Sequence, residues 1–182
     1  MKKYLFSTII LALLLGLAAC GGGEEAAESA EEVVDDGVRT IEITGIDDMK
    51  FVVSEPAEGI QTGGQIGQNV LLEAIVVKPG EEIRIRLSTV SNLPPTAMSH
   101  NFALLAQGTD VEAFARASIT ARDNDYIAPD FTDQVLVNTA MLGNGESDTI
   151  TFTVPETPGE YDFICTFPGH YAGGMVGKLI VE

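Results

Sequence analysis

The sequence has little positive charge. It contains 10 Lys and Arg residues against 27 Asp and Glu residues, and its formal net charge is -17. A surface with so few basic side chains repels nucleic acid and anionic membrane, so these are not expected as direct binding partners. A partner that docks by charge is expected to be basic.

Cysteine is also scarce. The two cysteines are Cys20 and Cys165. Because Cys20 ends an apolar leader, Cys165 is left as the lone thiol of the folded part, and no disulfide can form within it. A leftover thiol in an exported protein is reactive, paired between chains, or bound to a metal. The length of 182 residues leaves room for one domain of ordinary size.

The first 19 residues have the pattern of a signal peptide. Lys2 and Lys3 precede an apolar run over residues 4–19 that is short for a membrane span, which needs about 20 apolar residues. The segment Leu17-Ala18-Ala19-Cys20-Gly21 resembles a bacterial lipobox, in which the cysteine sulfur receives a diacylglycerol. An ordinary signal peptide with an incidental cysteine, or an uncleaved span, is the alternative. We therefore expect an exported protein, lipidated at Cys20 and anchored to a bacterial membrane, facing the periplasm or the cell exterior. Gly21 in place of Asp after the cysteine permits export to an outer membrane.

An acidic segment follows the lipobox. Residues 21–37 include seven acidic residues and no basic or aromatic residue, so they cannot bury enough apolar surface to order themselves. A helix formed by the Ala and Glu residues is the alternative. The expected organisation is a signal peptide over residues 1–19, a lipidated flexible linker over 20–37 and a folded domain over 38–182.

The pattern of the folded part is that of β-strands. Apolar residues alternate with polar ones over three stretches, which are Ile41 and Ile43, then Met49, Phe51 and Val53, then Ile83, Ile85 and Leu87. Five further strands are predicted, over residues 70–77, 102–105, 150–154, 161–165 and 176–181. Turn chemistry separates strands at residues 78–80, 143–145 and 157–159. Thr109 and Glu112 have the spacing of a capping box and predict one helix over residues 110–121. We expect an all-β Greek-key sandwich with one inserted short helix.

Three potential metal ligands lie on one short loop. In Cys165-Thr-Phe-Pro-Gly-His170-Tyr-Ala-Gly-Gly-Met175, a thiolate, an imidazole and a thioether lie between two predicted strands, and His100 is the other of the chain's two histidines. A plane of two His and one Cys with a distant thioether is the ligand set of type 1 blue-copper sites. Taken singly, each residue has an ordinary structural explanation, such as a buried thiol, a loop histidine or a core methionine. A zinc site of Cys and two His is the chemical rival, although it leaves Met175 without a role.

These residues carry a family resemblance. The sequence is similar to the azurin and auracyanin branch of the cupredoxins over residues 46–51, 92–102, 125–129, 142–148 and the loop 165–175. The segments Met98-Ser99-His100-Asn101 and Cys165-Thr-Phe-Pro-Gly-His170 are specific to that group. The resemblance implies one type 1 copper, with His100, Cys165 and His170 in a trigonal plane and Met175 axial. It also implies that Asn101 hydrogen-bonds across to the loop, and that electrons enter at the edge of His170 within an apolar patch formed by Met98, Pro168, Ala172 and Leu93.

The chain departs from azurin in four places. Ser99 stands where azurin has the glycine whose carbonyl lies near copper, which puts a weak fifth contact in question. Four residues separate His170 from Met175 where azurin has three, the azurin disulfide cannot form, and residues 55–69 form a longer, glycine-rich stretch without an assigned role.

The resemblance implies an electron carrier and not an enzyme. The expected partners are redox proteins such as cytochromes or membrane respiratory and photosynthetic complexes. Copper delivery is the alternative, but it would call for several exposed Met or His residues, whereas the domain has one histidine pair. An oxidase or nitrite reductase needs further copper ligands, and no histidine is left for them.

Overall fold

The computed structural model describes residues 36–182. The predicted signal peptide, Cys20 and the linker up to residue 35 lie outside the described residues. The described part consists of ten strands, one α-helix and two short 3-10 helices. The strands are β1 (Arg39–Ile46), β2 (Lys50–Val53), β3 (Ile60–Ile66), β4 (Asn69–Val77), β5 (Glu82–Val90), β6 (Ala103–Leu105), β7 (Val135–Asn138), β8 (Ser147–Thr153), β9 (Gly159–Ile164) and β10 (Val176–Val181), and the helix is α1 (Val111–Ser118).

The strands form a nearly closed barrel. Their order is β7-β6-β9-β10-β4-β2-β1-β5-β8, with β3 paired to β4 outside this path. The two end strands, β7 and β8, approach each other and so almost close the sheet. Most pairs are antiparallel, but β1 with β5 and β4 with β10 are parallel. The all-β prediction with one inserted helix is confirmed.

The core lies inside this barrel. Ile41 of β1 is in register with Ile85 of β5, and Ile43 is in register with Leu87. All four side chains are at most 5% exposed, because each strand turns alternate residues inward. The alternation that predicted β1 and β5 therefore reflects one buried face.

The prediction for β2 is only partly correct. Met49 lies in the turn before the strand with a φ of +54°, and the strand begins at Lys50. Phe51, Val52 and Val53 are all buried, so the two-residue alternation does not hold here. The strand is hydrogen-bonded between β1 and β4, and neither of its faces is open to solvent.

The helix is shorter than predicted and is capped by a different residue. It begins after Asp110, whose carboxylate accepts a hydrogen bond of 3.0 Å from Ala113 N. Thr109 does not cap it, because its hydroxyl donates to the carbonyl of Ala106 at 2.8 Å. Phe114 is fully buried and holds the helix against a second apolar cluster beside the barrel. Among residues 36–182, no helix has the length and apolar character needed to cross a membrane.

Residues 55–69, which had no assigned role, contain a strand that the sequence did not reveal. This strand is β3, which is antiparallel to β4 with register shifts on both sides of Thr62. Gly63 and Gly64 lie within it and its side chains are mostly polar, so neither composition nor alternation indicated a strand. Strand β7 was missed as well.

Candidate metal centre

The candidate metal ligands converge at one end of the barrel. One nitrogen of His100, one nitrogen of His170 and Sγ of Cys165 all lie within 4.8 Å of one another. The sulfur is 3.9 Å from Nδ1 of His100 and 3.4 Å from Nδ1 of His170. All three residues are at most 2% exposed. Two imidazole nitrogens and one sulfur therefore face a common, buried point.

His100 is held by the strands around it. Its backbone forms a bridge with Leu142, donating to the Leu142 carbonyl at 2.9 Å and accepting from the Leu142 amide at 2.8 Å. The ring packs directly on Gly45 of β1, where a β-carbon would lie 2.6 Å from Cγ of His100. Gly45 was not identified from the sequence. Only the close approach of the ring explains why glycine is needed here.

We call residues 165–175 the ligand loop. It connects β9 to β10 and is tied together by its own backbone. The Cys165 amide donates to the Met175 carbonyl at 3.1 Å, and the Met175 amide donates to the His170 carbonyl at 2.9 Å. Met175 is completely buried at the end of the loop. These two hydrogen bonds link Cys165, His170 and Met175 into one compact turn.

Asn101 connects the first histidine to the ligand loop. Its side-chain amide donates to Thr166 Oγ1 at 2.8 Å, and its carbonyl oxygen accepts from the Thr166 amide at 2.8 Å. A further bond of 3.3 Å reaches the Asp125 carbonyl. The expected contact across to the loop is therefore present, and its effect on the thiolate stays a prediction.

Ser99 turns its carbonyl toward the site. The carbonyl oxygen lies 3.9 Å from Cys165 Sγ. The backbone of Ser99 does not need the left-handed conformation that glycine favours, and its hydroxyl donates to the Pro95 carbonyl at 2.8 Å. Serine is accommodated in place of glycine without strain, and a weak axial contact from its carbonyl stays a prediction.

Burial sets the charge state of the ligands. It lowers the pKa of His170 to about 4, and burial together with the charge of His170 lowers the pKa of His100 to about 4. Both rings are therefore neutral at pH 7 and can offer a lone pair. Burial raises the pKa of the Cys165 thiol to about 12, although the backbone amides of Asn101 and Phe167 oppose this shift. A bound cation is needed to hold the thiolate here.

The donor set fits copper. His100 Nε2 is buried without a hydrogen-bond partner among residues 36–182, which leaves this ring oriented by packing while Nδ1 faces the sulfur. Two neutral imidazoles and a thiolate suit copper or zinc, and the buried thioether of Met175 favours copper.

The residues expected to form the apolar patch over the site are exposed to different degrees. Met98 is 7% exposed, more than His170 itself, and stays part of the predicted patch. Leu93 is 45% exposed, Pro168 is half-buried and Ala172 is exposed, so these three remain candidates for the patch as well. His170 itself is 2% exposed. Its opening to solvent is therefore narrow, and Phe167 packs on the ring with a centroid distance of 4.7 Å.

The sequence matches a family of known proteins. Residues 61–182 match the profile of copper binding proteins, plastocyanin/azurin family. Azurin of Pseudomonas aeruginosa is 35% identical over 135 residues, which cover 72% of this chain and 88% of that protein. Auracyanin-B of Chloroflexus aurantiacus is 42% identical over 103 residues, which cover 54% of this chain. The chain spans only 41% of the length of auracyanin-B.

Two further comparisons concern the whole chain and the fold. Outer membrane protein H.8 of Neisseria gonorrhoeae is 31% identical over 185 residues, which cover 98% of each chain. The crystal structure of dithionite-reduced auracyanin from Roseiflexus castenholzii superimposes with a TM-score of 0.59 at 32% identity. That match covers 79% of this chain and 96% of the other.

Proposed function

Because the chain belongs to the plastocyanin/azurin family of copper-binding proteins, we propose that it is a membrane-tethered type 1 copper protein that carries single electrons. His100, Cys165 and His170 would hold the copper, with a weaker contribution from Met175. The observation that carries the proposal is the meeting of the three buried ligand atoms within 4.8 Å of one another.

The protein's residues supply a rigid, dry and neutral site. Copper bound there supplies reversible one-electron exchange between Cu(II) and Cu(I). Both histidines present neutral nitrogens, Cys165 presents its sulfur, and the Asn101 side chain fixes the distance between the two ligand-bearing segments. A ligand set held in this way rearranges little between oxidation states, which favours fast electron exchange.

The site offers no chemistry beyond electron exchange. The azurins and auracyanins to which the chain is related are electron carriers and not enzymes. Both histidines of the sequence are used by this one site, so no histidine remains for a second copper at which a substrate could react. Partners are redox proteins, for which cytochromes or membrane respiratory and photosynthetic complexes are the candidates. The narrow exposed edge of His170 is the proposed point of electron entry.

A visible spectrum tests this function. The protein reconstituted with Cu(II) should show an intense charge-transfer band from the Cys165 thiolate and should bleach when it is reduced. The variant Cys165→Ser should lose the band, whereas Ser99→Gly, which keeps every side-chain ligand, should retain it. A colourless protein that binds only Cu(I) would contradict electron carriage and would favour copper delivery instead.

The proposal of a membrane tether is supported by the N-terminal sequence and by one relative. The lipobox residues predict acylation at Cys20, and the similarity to outer membrane protein H.8 extends over 98% of each chain. We propose that the domain over residues 38–182 is held by a lipid at Cys20 through the acidic linker and faces the periplasm or the cell exterior.

A further inference from the structure

The turn between β1 and β2 is flanked by residues that contact His100 and the ligand loop. Gly45, near its start, packs against the ring of His100. Lys50, at its end, donates a hydrogen bond from Nζ to the carbonyl of Gly173 in the ligand loop. Met49, between them, has a φ of +54°, which is uncommon for a residue other than glycine. The backbone of Met49, just before Lys50, is therefore strained where the chain contacts the site.

Lys50 lies on the part of the loop that leads into Met175. A β-carbon at Gly174 would be 3.0 Å from Lys50 Nζ, so the ammonium group covers the α-carbon of the residue before Met175. Gly174 itself has a φ of +83° and donates to the Tyr171 carbonyl at 2.8 Å. The lysine therefore closes the loop from outside, at the place where the chain turns inward to bury Met175.

Within the described part of the chain, Lys50 forms no ion pair. Among residues 36–182, no carboxylate lies within the 4.0 Å ion-pair distance of its ammonium nitrogen. This is notable in a chain with a formal net charge of -17. The hydrogen bond to Gly173 holds this half-buried cation against the ligand loop, and a nearby positive charge favours the oxidation state of lower charge.

We propose that Lys50 is a positioning residue for Met175 and that its charge raises the reduction potential of the metal centre. The inference rests on the proposed function, because it concerns the same site. The hydrogen bond to Gly173 holds in place the part of the ligand loop that leads into Met175. The charge acts through space, so that the Cu(I) state is favoured over Cu(II).

Reduction potentials of copper-loaded full-length variants test the electrostatic part. Lys50→Met should shift the equilibrium with a fixed one-electron mediator several-fold toward the oxidised protein, while Lys50→Arg should stay close to the original. Lys78→Met is the matched control, since it removes the same charge beyond the far end of β10, about 20 Å of strand from Met175. An unchanged potential in Lys50→Met, or a shift no larger than that of Lys78→Met, would overturn the proposal.

The metal-free protein tests the positioning part. Nuclear magnetic resonance should show displaced amide signals of Gly174 and Met175 in Lys50→Met and unmoved ones in Lys78→Met. Unmoved signals in both variants would overturn the positioning role. If Lys50→Met does not fold, Lys50→Gln, which also removes the charge, replaces it with the same expected results. A colourless original protein would refute the proposed function, whereas a coloured one with an unresponsive Lys50→Met refutes this inference alone.

Discussion

Asn101 and Thr166 exchange two hydrogen bonds of 2.8 Å, although they are 65 residues apart in the chain. One residue follows His100 and the other follows Cys165. The pair therefore sets the distance between the two segments that carry the metal ligands. Because both residues are at most 2% exposed, water cannot replace these bonds.

Replacement of Asn101 should weaken both the fold and the site. Asn101→Ala removes the side chain and leaves the Thr166 amide buried without its acceptor, which should lower the free energy of unfolding by about 2 to 3 kcal/mol. Urea unfolding of the metal-free protein measures this. The exposed Asn138, which bonds only to a neighbouring carbonyl, provides the control Asn138→Ala with a loss below about 1 kcal/mol. Equal losses in the two variants would refute the bridging role.

Replacement of Met175 should change the potential and not the occupancy. Met175→Gln puts an amide oxygen where the thioether was, and a harder ligand favours Cu(II). The protein should still bind one copper per chain and remain coloured, with a lower reduction potential. Metal analysis and a redox titration measure the two quantities. An unchanged or raised potential would show that Met175 does not ligate the metal, whereas loss of copper would contradict its weak, secondary role.

A single methyl group on Gly45 should displace the first histidine. A β-carbon there would lie 2.6 Å from Cγ and 2.7 Å from Cδ2 of His100, closer than real contacts allow. Gly45→Ala should therefore cost about 1 to 3 kcal/mol of stability and weaken copper binding, as measured by unfolding and by competition with a chelator. Gly64→Ala is the matched control because no atom lies within 4 Å of its added carbon. A coloured Gly45→Ala protein with full copper affinity would contradict this packing.

The metal-free protein should lose stability as the pH falls from about 6.5 to about 4. Burial lowers the pKa of His100 and His170 to about 4 from the ordinary value of 6.5. Within that range the unfolded chain binds protons that the folded protein does not, so the stabilisation is complete above pH 6.5 and declines below it. Urea unfolding at several pH values measures the slope. The double variant His100→Gln, His170→Gln should show a flatter profile, and an unchanged slope would exclude the histidines as its cause.

The lipid anchor should depend on Cys20 alone. Mass spectrometry of the mature protein is expected to find acyl chains on Cys20, and the protein should partition into detergent. Cys20→Ala should remove both properties and leave the copper spectrum intact, because the four proposed metal ligands all lie within residues 36–182. A mature N-terminus without acyl mass would refute the tether.

The strands predicted from two-residue alternation, β1 and β5, each have one buried face. In β1 and β5 the pattern of Ile41, Ile43, Ile83 and Ile85 follows directly from the pleat, because only inward residues lose contact with water. Strand β2 broke the pattern since both of its faces are covered. Strand β3 gave no signal because its partner β4, and not its own composition, holds it in an extended form.

Local sequence by itself determined the identity of the candidate ligands. Cys165, His170 and Met175 share one loop, so their spacing alone indicated a metal site. The meeting of His100 with that loop and the Asn101 bond to it were expected only from the family resemblance, and the tertiary structure shows how they form and that Lys50 reaches Gly173. These contacts join segments up to 123 residues apart. They arise from the way the sheet closes around its core, which a pattern of neighbouring residues does not specify.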